Sequence, residues 1–332
     1  MTAQESFSAK MLDLDCAKET EKIATKIRHL VSRVFRRQGA VVALSGGIDS
    51  SVVGALCVHA LGKDRVFGLL MPEKDSSAET LKLSRLIVDS LGIESHREDI
   101  TSVLEAVGCY RCRNDAIRQV VPEYTDDSKC KIVLPKVTDD DRLRIFSVVV
   151  ELPDGRQIEK RLTHRAYLEI VAASNFKQRV RKMFEYFHAD RLNYAVAGTP
   201  NRQEYDQGFF VKLGDGAADV KPIAHLYKTQ VYQMAEFLGV PQEIRRRPPT
   251  TDTYSMPQSQ EEFYFSVPYD KMDYCLYGLN HGIAAEEVGN AAGLTGEQVE
   301  RVYRDIRSKR STTRYLHTPP VLVEEVAEIT LP

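Results

Sequence analysis

The 332-residue sequence contains no long apolar run and no surplus of charge of either sign. Its 45 lysines and arginines oppose 47 aspartates and glutamates, which gives a formal net charge of −2. A bilayer span needs about 20 consecutive apolar residues, and the opening stretch MTAQESFSAK lacks the apolar core of a signal peptide. We therefore expect a cytoplasmic protein that binds neither membranes nor nucleic acid, because no basic field would attract either.

Cysteine is sparse as well, since six residues are scattered along a large chain. This distribution favours reduced thiols over a disulfide framework. Only Cys109 and Cys112 have the spacing of a metal or redox pair, and the nearest further ligands in sequence are Cys130 and His164. A tetrahedral site needs four well-spaced ligands, so we predict unpaired thiols rather than a metal centre.

What the sequence does contain is an alternation of apolar strands with amphipathic helices. Buried strands are predicted at 40–44, 65–72 and 193–198, and helices at 16–37, 77–91 and 165–190. Such alternation indicates βαβ units and a mostly parallel sheet. We predict an α/β, doubly wound fold in a single domain spanning 1–332, which the 43% hydrophobic content is sufficient to stabilise.

Three segments depart from this rhythm. Residues 108–163 look β-rich, with PDGR as the turn of a hairpin, and we predict an insertion there. Residues 245–268 contain four prolines and few periodic apolar residues, which predicts a mobile loop covering the site. The helical tail at 270–310 has the cadence of a DNA-binding helix-turn-helix, but its acidic first helix favours a plain helical hairpin.

The stretch VVALSGGIDSS, residues 41–51, joins a buried strand to a helix through glycines and serines. The helix N-terminus leaves backbone N–H groups for an anion. The loop has no lysine, and it matches neither G-x-x-x-x-G-K-[ST] nor G-x-G-x-x-G. A carboxylate beside phosphate is repulsive, so Asp49 points to Mg²⁺ between the two, although it could instead simply cap the helix.

S-G-G-x-D-S after a buried strand resembles the PP-loop of the ATP pyrophosphatases, which split ATP between its α and β phosphates. A second stretch, AGTPNRQEYDQGFFVKLGDGAADVKPIAHLYKTQV at 197–231, resembles the NAD synthetase family. Its motif runs G-T-x-x-x-x-E, G-[YF]-x-T-K-x-G-D-G-x-x-D and P-[LI]-x-x-L-x-K. SNFKQRVRKM (174–183), PTTD (249–252) and SKR (308–310) are similar to further family motifs.

The resemblance implies an adenine nucleotide α-hydrolase-like fold and an ammonia-dependent amide ligase. The family adenylates the carboxylate of nicotinic acid adenine dinucleotide with Mg²⁺ and ATP, releases pyrophosphate, and forms NAD⁺ and AMP when ammonia attacks. The resemblance also implies a homodimer. Because the synthetase-like fold uses all 332 residues, ammonia would be free or supplied by a separate glutaminase.

Carried over by position, the resemblance also implies site residues. The ATP-binding residues would be Ser45, Gly46, Gly47, Asp49, Ser50, Ser51, Arg179, Thr199, Lys228, Thr250 and Lys309. Mg²⁺ would be held by Asp49 and Glu204. The substrate-binding residues would be Lys212, Asp215 and Asp219, and the catalytic residues Asp49, Asp219 and Lys228.

The sequence departs from the family pattern in the covering loop, where the usual D-E-x-x-L-G is EEFYFS at 261–266. Val211 also replaces the threonine before Lys212. These changes keep a second hypothesis open, in which a PP-loop amide ligase acts on a different carboxylate. A tRNA-modifying thiolase and a non-catalytic ATP-binding protein are further alternatives, which tRNA binding and AMP release would test.

Overall fold

The computed structural model describes residues 7–135, 145–250 and 253–329. The strands found there make one four-stranded parallel sheet and one three-stranded antiparallel sheet. In chain order they are β1 (Ala40–Ala43), β2 (Val66–Leu70), β3 (Glu94–Arg97), β4 (Lys129–Val133), β5 (Ser147–Glu151), β6 (Gln157–Arg161) and β7 (Ala195–Ala197).

Helices cover both faces of the parallel sheet. In the described parts of the chain, none combines the length and apolar character that a membrane crossing requires. In chain order they are α1 (Cys16–His29), α2 (Ile48–Leu61), α3 (Ala78–Leu91), α4 (Thr101–Ala106), α5 (Cys109–Arg118), α6 (His164–Leu192), α7 (Arg202–Gln207), α8 (Lys228–Phe237), α9 (Gln242–Arg246), α10 (Tyr269–His281), α11 (Ala285–Ala292) and α12 (Gly296–His317).

The parallel sheet has the strand order β3-β2-β1-β7. β1 and β7 pair in parallel, with Ala40 opposite Ala195. The chain leaves β1 toward β2 on one side, whereas β7 lies on the other side, so a crevice opens at their carboxyl ends. Ligands of open α/β sheets bind in such a crevice. The predicted α/β class with a mostly parallel sheet is confirmed.

The two faces of this sheet carry separate apolar clusters. One face packs Val42 against Ile27, Leu56 and Val231 from α1, α2 and α8. The other packs Val41 and Phe67 against residues of α4 and α6, Leu104 and Val180 among them. Because both faces are covered, β1 and β2 read as continuous apolar runs instead of alternating ones, which is why the sequence predicts them well.

The 108–163 stretch differs from the predicted hairpin in two ways. A third strand, β4, pairs with β5, and the sheet order is β4-β5-β6. Residues 109–118 are helical and pack along α6. Polar Arg113 and Asn114 lie on the buried face of α5, so the helical period is not visible as an apolar pattern. Residues 136–144 lie outside the described residues.

The tail forms a helical unit beside the sheet. α10, α11 and α12 bury Leu276, Val288 and Val302 in one cluster, which also receives Phe265 from the covering loop. Within the predicted loop, Glu261–Phe265 forms a single π-helical turn. Residues 251 and 252, the end of the PTTD motif, lie outside the described residues. The mobility predicted for this loop remains a prediction.

Candidate functional site

The strand-loop-helix stretch predicted from VVALSGGIDSS forms one wall of a cavity of about 910 Å³ at the crevice. α2 begins after Gly47, and no side chain caps its N-terminus. The Ser50 hydroxyl lies 3.2 Å from that of Ser45 and donates to the Gly47 carbonyl. Ser45, Gly47, Asp49 and Ser50 all line the cavity, so an anion there would meet hydroxyls and the positive end of a helix dipole.

Gly46 and Ser51 do not line the cavity, but they stabilise the conformation of the loop that does. Gly46 has φ +72°, and a Cβ built on it would lie 2.8 Å from the Thr80 carbonyl oxygen and the Ser84 nitrogen. Only glycine fits a left-handed position packed so closely against α3. Ser51 is fully buried, and its hydroxyl donates to the Gly47 carbonyl at 2.8 Å. Both residues therefore fix the conformation of the loop through contacts outside the cavity.

A buried charged centre lies beside this loop. The Lys228 ammonium is 2.5 Å from Asp49 Oδ2, and Asn201 Nδ2 donates to Asp49 Oδ1 at 3.0 Å. Asn201 caps α7 in a reciprocal box with Glu204, whose Oε2 accepts the Asn201 N–H. Gln260 Nε2 donates to the other Glu204 oxygen at 3.0 Å. Residues from four separate segments thus meet, as the sequence predicts for Asp49, Glu204 and Lys228.

Lys228 is held in place by the start of its own helix. Its backbone N–H and that of Thr229 both donate to the carboxylate of Asp273, which is fully buried on α10. Gln203 Nε2 donates to the same carboxylate. Burial raises the pKa of Asp273 to about 6. The first turn of α8 is therefore fixed by a side chain that the sequence motifs do not include.

Burial and neighbouring charges together shift the pKa values of Glu204 and Lys228. Burial, and then the neighbouring Asp49, raise the pKa of Glu204 to about 8. Burial would lower the pKa of Lys228, but Asp49 and Glu204 outweigh it and raise that pKa. The lysine therefore stays charged at neutral pH. One ammonium does not fully compensate two carboxylates, so the centre favours an additional cation or a proton on Glu204.

Glu204→Gln should flatten the pH dependence of stability in the ligand-free protein. A carboxyl whose pKa rises on folding, from 4.5 to about 8, binds more protons folded than unfolded. Its stabilising contribution is complete below pH 4.5 and is lost as pH rises to 8. Urea midpoints measured with EDTA between pH 5 and 8.5 should fall less in Glu204→Gln than in wild type. Exposed Glu105→Gln is the control, and parallel profiles for all three proteins contradict the prediction.

The remaining predicted ATP residues also line the cavity. Thr199 follows β7, and Thr250 pairs with Ser259 in an isolated β-bridge. Arg179 Nε donates to the Lys212 carbonyl. Lys309 donates to the Tyr264 carbonyl at 2.8 Å and pairs with Asp305 on α12. The tertiary fold thus brings residues more than 250 positions apart to one cavity.

The three predicted substrate residues are distributed differently. Lys212 and Asp215 line the cavity. Lys212 Nζ donates to the carbonyls of Tyr315 and Thr318, and burial raises the pKa of Asp215. Asp219 lies outside the cavity and is exposed, where its carboxylate accepts the Val196 N–H at 2.7 Å. A ligand touching Asp219 would therefore lie beyond the cavity mouth.

Sequence reasoning missed a second charged cluster, which is buried and reaches the cavity through Lys177. Lys177 Nζ pairs with Glu73 at 2.8 Å and with Asp75 at 2.6 Å, and donates to the Thr253 carbonyl at 2.9 Å. Arg113 pairs with Asp75 at 2.5 Å. Burial raises the pKa of Asp75, but Lys177 and Arg113 outweigh it, so the pKa is lowered. No local sequence pattern links these residues. Asn201, which contacts Asp49 in the other charged centre, could have been predicted as a helix cap, because N-x-x-E at 201–204 is a capping-box pattern.

Cys109 and Cys112, the predicted pair, lie on different faces of α5. Cys109 is buried and its thiol donates to the Ala173 carbonyl, and burial raises its pKa to about 11. Cys112 faces solvent. Within 7–135, 145–250 and 253–329, the one cluster with metal-ligand spacing is His96, Glu98 and His188. Arg191 donates to His188 Nδ1, which places the proton on Nε2 and disfavours a metal there.

The N-terminus of α2, which no side chain caps, lies at the switch point of the parallel sheet beside Asp49 and the buried Lys228. This arrangement defines an α/β protein with a PP-loop fold. A sequence model of the NAD synthase family matches residues 19–123 and 141–315. The chain belongs to the NAD synthase family. Of the predicted 108–163 insertion, the family model leaves only 124–140 unmatched.

Curated relatives support the same assignment over their whole length. The chain is 59% identical to an NH₃-dependent NAD⁺ synthetase of Mesorhizobium japonicum, over 96% of this chain and all of that protein. It is 57% identical to the protein of that name from Rhizobium meliloti, over 97% of this chain and 96% of the relative.

Solved structures share the fold. NMN synthetase from Francisella tularensis superposes with a TM-score of 0.64 at 21% identity, over 93% of this chain and 99% of that one. An NH₃-dependent NAD synthetase from Campylobacter jejuni gives a TM-score of 0.60 at 23% identity, over 94% of this chain and 100% of that chain. At these identities the similarity concerns the fold alone.

Proposed function

We propose that this chain is an ammonia-dependent NAD⁺ synthetase that acts as one catalytic unit. It would convert nicotinic acid adenine dinucleotide, ATP and ammonia to NAD⁺, AMP and pyrophosphate. The observation that carries the proposal is the meeting of Asp49, Glu204 and Lys228 beside the uncapped N-terminus of α2. Whole-length relatives at 59% and 57% identity carry this activity in their names. The six free thiols suit a reducing cytoplasm.

In the first step, a substrate carboxylate oxygen attacks the α phosphorus of ATP, and the bond to the β-phosphate oxygen breaks. Negative charge grows on the departing pyrophosphate. The Ser45 and Ser50 hydroxyls and Lys228 line the cavity at the N-terminus of α2, and we propose that they stabilise this charge. Because these groups are fixed before reaction, they stabilise the transition state without reorganising.

In the second step, ammonia attacks the acyl carbon, AMP leaves, and a proton is released with formation of the amide. The acyl adenylate must be kept from water until ammonia arrives. Phe263 and Tyr264 of the covering loop form part of the cavity wall, and we propose that they exclude water from it. Free ammonia or a separate glutaminase would supply the nitrogen.

The residues present fit Mg²⁺. Asp49 and Glu204 offer hard oxygen donors, and burial together with the neighbouring Asp49 raises the pKa of Glu204, which supports a cation beside the pair. We propose that these two carboxylates hold the ion, which when bound neutralises phosphate charge. Lys228 then supplies a second positive charge from the first turn of α8.

We propose that Lys212, Asp215 and Asp219 contact the dinucleotide substrate and that a homodimer completes this site. Asp219 lies outside the cavity and accepts a hydrogen bond from the Tyr186 hydroxyl of α6, a helix that also exposes the apolar Met183 and Phe187. A second copy covering this face would extend the cavity past Asp219. Sedimentation equilibrium should give a mass of twice 37.5 kDa, and a monomer at micromolar concentration contradicts this part of the proposal.

The activity is tested with purified chain, Mg²⁺, ATP, ammonium and nicotinic acid adenine dinucleotide. NAD⁺, AMP and pyrophosphate should form in a 1:1:1 ratio, and omission of ammonium should prevent NAD⁺ formation. A well-folded, dimeric sample that releases no AMP contradicts the proposal.

A second candidate is an amide ligase for another carboxylate, favoured by the two aromatic residues that EEFYFS places in the cavity wall, Phe263 and Tyr264. A screen of pyrophosphate release across carboxylic acids separates the two. Release with only some other acid selects the second candidate, because adenylation requires the acid that fits the cavity.

A further inference from the structure

β4 is an edge strand of the three-stranded sheet, since the order is β4-β5-β6. One edge of β4 pairs with β5 over its whole length. The N–H and C=O groups of the other edge need partners, because an exposed edge binds whatever strand or loop approaches it. In this protein the partner is the covering segment, defined here as residues 253–265.

The covering segment meets alternate residues of that edge. Ser255 accepts the Cys130 N–H at 2.9 Å, and the Cys130 carbonyl accepts the Met256 N–H at 3.1 Å. Two positions along, the Ile132 carbonyl accepts from the Gln258 side chain. The period of two is that of a β-strand edge, so the contacts follow the strand and are not scattered.

The far end of the segment adds an ion pair and a backbone bond. Lys131 Nζ lies 2.6 Å from Glu262 Oε1, with 18% and 38% of the side chains exposed. The Leu134 N–H donates to the Glu262 carbonyl at 3.2 Å. Tyr254 and Phe263 pack edge to face and enter the apolar cluster beneath the sheet. The segment is thus docked by polar and apolar contacts together.

The opposite side of the same segment faces the cavity. Its Thr253 carbonyl accepts from buried Lys177, and Gln260 donates to Glu204. The segment therefore connects the edge of β4 to the charged centre, through side chains only a few residues apart.

We propose that β4 is a docking edge that holds the covering segment over the cavity before ligands bind, with Lys131 and Ser255 as positioning residues. β4 falls in residues 124–140, the stretch that the family model leaves unmatched, so that model does not describe this edge. The docking itself is independent of which carboxylate the cavity accepts, whereas its kinetic consequence rests on the proposed function.

Docking before ligand binding has a measurable consequence. When only a fraction of the molecules is in the binding-competent conformation, the apparent dissociation constant rises by the inverse of that fraction. Undocking should therefore weaken ligand binding and raise KM. It should leave kcat nearly unchanged, because bound ligands restore the docked conformation.

Hydrogen exchange on the ligand-free protein tests the docking directly. In wild type, the Met256 amide should be protected without ligand. Lys131→Glu combined with Ser255→Ala places two carboxylates together and removes one acceptor, so protection of 256–265 should fall about tenfold or more. Adding Glu262→Lys to this variant restores the ion pair with reversed charges and should recover much of the protection. A wild-type segment that exchanges freely until Mg²⁺ and ATP are added overturns the proposal.

The functional readout is the dissociation constant of Mg²⁺ and ATP, measured by calorimetry, together with KM and kcat. The double variant should show a rise of about fivefold or more in both constants with kcat within twofold of wild type. Lys129→Met is the matched control, because Lys129 lies on the same strand but pairs with Glu151 of β5 and not with the covering segment. Increased exchange with unchanged binding and KM overturns the positioning role. Absence of NAD⁺ formation with intact ATP binding contradicts only the proposed function.

Discussion

Replacing Lys228 by methionine should lower kcat/KM for NAD⁺ formation by about 10²–10³-fold, the effect of removing one preorganised charge-stabilising group from a buried site. Lys228 is 1% exposed and its ammonium lies 2.5 Å from Asp49. Asp49 and Glu204 raise the pKa of Lys228 against the effect of burial. The charge is therefore present throughout the neutral range. Methionine matches the four-carbon stem of lysine without the ammonium, so packing around α8 should change little.

Initial rates of pyrophosphate release over a range of ATP and substrate concentrations give kcat/KM. Lys82→Met, on the exposed face of α3, is the control for loss of a lysine near the cavity. Because Lys228→Met leaves Asp49 without its cation, Lys228→Met with Asp49→Asn should recover stability but not activity. A single variant retaining more than a tenth of wild-type kcat/KM contradicts the role of Lys228.

Lys177→Met should destabilise the fold by about 3–5 kcal/mol, which is the cost of removing one partner from a buried ion cluster. Glu73 and Asp75 would keep one cation, Arg113, between them. For a chain of this size that free energy corresponds to a fall of about 4–7 °C in the melting temperature. The Thr253 carbonyl would also lose its donor.

Urea and thermal unfolding followed by circular dichroism measure this effect. Lys177→Met with Glu73→Gln removes one charge of each sign, so it should be more stable than the single variant. Lys22→Met breaks an exposed ion pair with Glu19 and should cost less than about 1 kcal/mol. A loss below 1 kcal/mol in Lys177→Met would show that the cluster relaxes or admits water.

The parts predicted well from sequence are those where local chemistry decides the structure. β1 and β2 are apolar because both faces of the sheet are covered, and the Gly46 turn requires a left-handed residue. The α5 helix was missed because Arg113 faces the interior, where its charge is compensated by Asp75 from another segment. A buried charge interrupts the apolar stripe by which a helix is predicted. When its partner is distant along the chain, the local sequence gives no sign that the charge is compensated.

The sequence by itself determined the α/β class, the glycine turn between β1 and α2, and the family, because strands, glycine turns and ordered motifs are local patterns. Only the tertiary structure decided which charges meet. It paired Lys228 with Asp49 across 179 positions, enclosed Lys177 with Glu73 and Asp75, left Asp219 outside the cavity, and joined β4 to the covering segment. Electrostatic and hydrogen-bond partners act over a few ångströms in space, and no spacing along the chain encodes those distances.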